Sequence, residues 1–144
     1  MKRKKAQFLI IAFFGILSIQ AQKSNKDIDK ILIHEKIEMY FEGWMTGDTT
    51  KIGKAMHSTC KLKNIKEGKV VVFDRKTYLG FFQLRPRRKN STGRVVELDV
   101  TGNIASAKCE IDTPTFIATD YFNLMKVKGE WFIVDKIATS TKKE

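Results

Sequence analysis

Between Asp27 and Gly47 the apolar residues Ile33, Ile37, Tyr40, Phe41 and Trp44 recur at the helical period, and Glu35, Lys36 and Glu38 take the other side. A helix with a single apolar stripe needs a surface to cover that stripe. The rest of the chain supplies one, because the period changes from 3.6 to 2. Val96, Leu98 and Val100 alternate with Glu97 and Asp99, and Ala105, Ala107, Cys109 and Ile111 alternate with Ser106, Lys108, Glu110 and Asp112. Strands of this kind keep one face in the core and one in water. A striped helix followed by half-buried strands predicts an α+β fold in which an antiparallel sheet curls over the long N-terminal helix.

The segments between are short. Gly47 stops the first helix and Asp48 caps a second, whose apolar face is Ile52, Ala55 and Met56 and whose end falls at His57. Residues 60–65 and 69–73 read as a hairpin around Lys66-Glu67-Gly68. Asp74 caps a third helix with Tyr78, Phe81 and Phe82 on its apolar positions. Residues 115–127 carry the weakest alternation and are expected to be covered on both faces. The last strand spans residues 131–137.

The N-terminus has a different character. Four of the first five residues are cations, residues 8–17 are apolar but for Gly15, and Ala21 is a small residue at a cleavage-type position. This order predicts a secretory signal peptide over residues 1–21, exported to the periplasm or secreted, with no stable membrane anchor, since ~20 apolar residues are needed to span a bilayer. A polar stub (22–26), one domain (27–138) and a disordered tail (139–144) complete the chain. The formal charge of +11 owes much to the leader. The remaining basic cluster, Arg85 to Lys89, lacks the interleaved aromatics of a nucleic-acid platform, so no nucleic-acid partner is expected. Cys60 and Cys109 fall in strand patterns and read as two buried thiols, with a disulfide the alternative that export makes chemically possible. No metal-ligand spacing, phosphate loop or Ser-His-Asp order is present, and no metal or cofactor is expected.

Three stretches carry a resemblance. They are residues 40–48 (YFEGWMTGD), residues 52–57 (IGKAMH) and residues 120–134 (DYFNLMKVKGEWFIV). Together they resemble the nuclear transport factor 2-like superfamily, which includes ketosteroid isomerases and SnoaL-like polyketide cyclases, and within it the putative lumazine-binding branch. The resemblance implies a cone with an apolar pocket at its open end. It also implies that Tyr40 stands where the isomerases have their oxyanion-hole tyrosine. Their proton-shuttling carboxylate would fall near Asn64, and their oxyanion acid near Asn123 or Asp120. An amide is no base, so Asn64 leaves donors without a proton acceptor.

The candidate ligand-binding residues are therefore Tyr40, Trp44, His57, Asp120 and Asn123, with no catalytic residue assigned. The leading reading is a non-catalytic binding domain for a small apolar or aromatic molecule. The alternatives are an isomerase- or cyclase-like enzyme with His57 as base beside Tyr40, and a protein-interaction module. Apolar residues on the outer sheet face predict a homodimer.

Overall fold

The computed structural model describes the backbone of residues 4–144 and the side chains of residues 25–144. The signal-peptide reading and its cleavage site fall on residues whose side chains lie outside that description. Helix α1 (Lys4–Thr46) is followed by α2 (Thr49–Ala55), β1 (Met56–Lys66), β2 (Lys69–Asp74), α3 (Arg75–Leu79), β3 (Thr92–Thr101), β4 (Ile104–Asp112), β5 (Phe116–Val127) and β6 (Glu130–Lys142). The expected α+β class holds. The six strands form one curved, open sheet in the order β2-β1-β6-β5-β4-β3. It is mixed rather than wholly antiparallel, because β1 and β6 pair in parallel. No helix among the described residues is long and apolar enough to cross a membrane.

Helix α1 begins earlier than the apolar stripe suggests, and residues 22–26 are helical rather than a stub. The sequence has no Pro or Gly between Gly15 and Gly43 to interrupt it. Its inner face buries Ile33, Ile37, Tyr40, Phe41 and Met45, while Trp44 is only half-buried. Two fixtures hold it on the sheet. Near its start, Asp29 accepts hydrogen bonds from Lys126 Nζ (2.7 Å) and the Trp131 indole (3.0 Å). Those bonds keep the Asp29 carboxyl below its ordinary pKa. Near its end, Phe41 packs on Gly93 of β3, where a Cβ would stand 2.4 Å from the ring.

The expected stop at Gly47 is seen, with φ +68°, and its Cα faces the Gln83 carbonyl so closely that only glycine fits. Asp48 caps α2 through Thr50 N and Lys51 N, and Asp74 caps α3 through Thr77 N. The basic stretch docks on the end of α1. Arg85 N bonds Thr46 O, Arg88 N bonds Met45 O, and the Arg85 guanidinium bonds Trp44 O. Donors and cations at helix-terminal carbonyls satisfy acceptors that the helix leaves free.

Four expectations need correction. Helix α2 ends at Ala55, so Met56 and His57 open β1 instead of closing a helix. A bulge between Val95 and Glu97 turns Val96 outward, leaving Val95, Leu98 and Val100 on the inner side. Strand β5 alternates after all, with Asp120, Phe122 and Leu124 buried and Tyr121, Asn123 and Met125 exposed. The tail from residue 139 is strand as far as Lys142, because β5 extends far enough to pair Phe116 with Lys142 and Ile117 with Thr141. The two cysteines are free and buried, and burial pushes both thiols up to about 12.

Candidate functional site

A cavity of about 810 Å³ opens between α3, β1, β2, β5 and β6, with Trp44 of α1 at one side. Its walls are mainly apolar, including Leu62, Phe73, Phe81 and Ala118. The strand period explains which side chains reach it. On β1, Leu62 and Asn64 point inward, opposite Phe73 and Val71 of β2, whereas Lys63 points outward to Asp135 at 2.6 Å.

The innermost polar groups are arranged as two pairs. Tyr78 of α3 lines the cavity and its hydroxyl lies 2.5 Å from that of Tyr40 behind it. Burial raises both phenols above the ordinary tyrosine range, so both stay protonated at neutral pH, one donating and the other accepting. Beside them Lys136 of β6 donates to Asp120 of β5, with side chains only 4% and 3% exposed. The Lys136 ammonium is also ringed by aromatic faces, 5.6 Å from Tyr40, 6.0 Å from Tyr78 and 5.6 Å from Phe122. Burial pulls the Lys136 pKa down, against the opposing pull of Asp120.

Of the five candidate residues, Trp44 and Asp120 line the cavity, and Tyr40 reaches it only through Tyr78. His57 and Asn123 do not line it. His57 stands at the start of β1 with Nδ1 2.8 Å from Thr59 Oγ1 and its ring edge-on to Phe132. Asn123 is three residues from Asp120 on one strand, so the pleat sends it to the outer face. Of the two places suggested for an oxyanion acid, only Asp120 faces inward, and it is held by Lys136. Asn64 does line the cavity, as the resemblance implied.

Nothing in the sequence singles out Tyr78 or Lys136. Tyr78 reads as one more apolar position of a short helix. Lys136 is hidden by a bulge. Trp131 and Ile133 are buried, which by alternation puts residues 135 and 137 inside. The register shift opposite Asn123 and Leu124 reverses this and turns Lys136 inward instead.

A curved, open sheet wrapped around one long helix is the nuclear transport factor 2-like fold. Solved structures with this architecture include NTF2-like proteins of unknown function from Shewanella baltica OS155, Silicibacter pomeroyi DSS-3 and Methylobacillus flagellatus KT. The first is 24% identical, with 80% of this chain and 95% of that chain covered at TM-score 0.74. The second is 16% identical, with 82% and 98% covered at 0.71, and the third is 24% identical, with 83% and 94% covered at 0.68. The chain belongs to the family described as putative lumazine-binding, whose model matches residues 28–137. No curated protein matches it.

Proposed function

We propose that this protein is an exported binding domain that holds a small apolar or aromatic molecule in the cavity and performs no chemistry on it. The carrying observation is the cavity itself. Its volume of about 810 Å³ is in the range of small-molecule pockets, and apolar walls with a few fixed polar groups are the usual composition of such sites. The family's name points to a small ligand as well. The non-catalytic reading is supported by the state of the polar groups. Asp120 is engaged by Lys136, Asn64 stands where a shuttling carboxylate would be needed, and His57 is outside the cavity. The test is to purify the mature domain from its native host and identify co-purifying small molecules by mass spectrometry. Repeated recovery of empty protein from the native host would count against the reading.

Two further features belong to the proposal. The charged, apolar and small-residue order of residues 1–21 supports export with a mature N-terminus at Gln22, which N-terminal sequencing of exported material checks. The outer sheet face supports a homodimer. It exposes Ile65 (75%), Val70 (70%), Tyr121, Met125 and Ile137, a run of apolar area that water would otherwise cover. Light scattering at micromolar concentration should give twice the chain mass.

A further inference from the structure

We propose that Asn64 selects the ligand, and that the cavity takes aromatic molecules carrying an O–H or N–H donor, such as phenols and N–H heteroaromatics. This rests on the binding function proposed above and adds a chemical class to it. The buried polar groups of the cavity are nearly all engaged already, while Thr119, Tyr121, Thr139 and Ser140, which also line it, are half-buried or exposed. The Tyr40 and Tyr78 hydroxyls face each other. The Lys136 ammonium is held by Asp120. Lys63, next to Asn64 in sequence, is turned to the outer face and bonded to Asp135. Asn64 Oδ1 is different, being buried without any hydrogen-bond partner. The other two such atoms among the described residues, Arg75 Nε and Arg85 Nε, belong to side chains that do not line the cavity.

An acceptor buried without a partner is destabilising, and a fold does not gain by keeping one. The surroundings give Asn64 no reason to be polar for the sake of the fold. Leu62 precedes it on the same face of β1, and Val71 lies opposite on β2. The β1–β2 register puts Asn64 on the inward face and among the residues that line the cavity, where a turn of the carboxamide brings Oδ1 out of its cover to a ligand. A bound molecule that brings a donor satisfies Oδ1. One that brings only carbon must leave it bare, or trap a water there, and binds less well. The apolar walls select for ring systems, and Asn64 selects among them.

The matched pair 2-naphthol and 2-methoxynaphthalene tests this, since the ring system is shared and only the first has a donor. Fluorescence titration of the mature domain should give about tenfold tighter binding of 2-naphthol, the difference between a satisfied and an unsatisfied buried acceptor. In Asn64→Leu the preference should collapse while 2-methoxynaphthalene binds at least as well as before. The variant should also unfold at a urea concentration equal to or above that of the wild type, because an unpartnered polar group has been replaced by an apolar one of similar size. Equal binding of the two probes by the wild-type domain overturns the inference and leaves the binding function standing. So does a 2-naphthol preference that survives in Asn64→Leu, or a marked loss of stability in that variant. Failure of both probes to bind overturns the binding reading and the inference with it.

Discussion

Replacing Lys136 with Met should destabilise the domain far more than removing any exposed ion pair, and a second substitution should restore most of the loss. Lys136 and Asp120 are 4% and 3% exposed, so removing the ammonium strands a carboxylate almost wholly withdrawn from water. Breaking a buried pair in this way costs about 3–5 kcal/mol. The aromatic faces of Tyr40, Tyr78 and Phe122 around Nζ add a further cation–π loss of about 1 kcal/mol. With a urea m-value of about 1.5 kcal/mol/M, a 3 kcal/mol loss moves the unfolding midpoint down by about 2 M. Asp120→Asn with Lys136→Met removes both charges and leaves an amide beside a thioether. That double variant should lie closer to the wild type than Lys136→Met alone, with a coupling of at least about 2 kcal/mol between the positions. The outer pair Lys63–Asp135, with side chains 38% and 22% exposed, is the control, and its removal should cost less than about 1 kcal/mol. The measurement is a urea double-mutant cycle followed by circular dichroism. Additive single losses, or a Lys136→Met variant as stable as the wild type, would show that the pair is not desolvated as described.

Gly93→Ala places a methyl 2.4 Å from the Phe41 ring and should lower stability by about 1–3 kcal/mol, read from the same denaturation curves. The buried thiols set an alkaline limit. Both are raised from 9.0 to about 12, so they stay protonated in the folded chain while the unfolded chain ionises. Their contribution is therefore full below pH 9 and is lost between pH 9 and 12, with a slope approaching about 1.4 kcal/mol per pH unit for each thiol. Cys109→Ala should reduce that slope by one such share, whatever it does to the absolute stability. The wild-type domain should leave an unsaturated ketosteroid unchanged, because the Asn64 amide in the cavity lining is no base and Asp120 is engaged by Lys136. Turnover that disappears on Tyr40→Phe would show that a base has been overlooked.

The fold was legible where one physical signal acted alone. The α1 stripe, the Gly47 stop, the Asp48 and Asp74 caps and the alternation of β4 all follow from local rules, and the structure keeps them. Misreadings gather where a long-range pairing overrides the local pattern. The β3 bulge turns Val96 outward, and the β6 bulge exchanges the faces of Asp135 and Lys136. A one-residue shift is invisible in composition yet reverses every side chain beyond it. For that reason the floor of the cavity was only half readable. Asp120 and Tyr40 could be singled out, but their partners Lys136 and Tyr78 are fixed by register and by the packing of a five-residue helix. Asn123 and Asp120 could have been separated by parity alone, since three residues along a strand always lead to the opposite face.

The parallel pairing of β1 with β6 has a consequence for how the protein is made. Strand β6 is the last element of the chain, and it slots between β5, its hairpin neighbour, and β1, which left the ribosome more than sixty residues earlier. Until it arrives, the β1–β2 hairpin has no sheet to join and the two walls of the cavity are separate. Closing so long a loop is entropically slow, and contacts of such high sequence separation are a hallmark of slow-folding topologies. The cavity therefore exists only once β6 has paired with both of its neighbours. A chain truncated before Glu130 would keep the helix and the β3–β4–β5 meander but have no chamber at all.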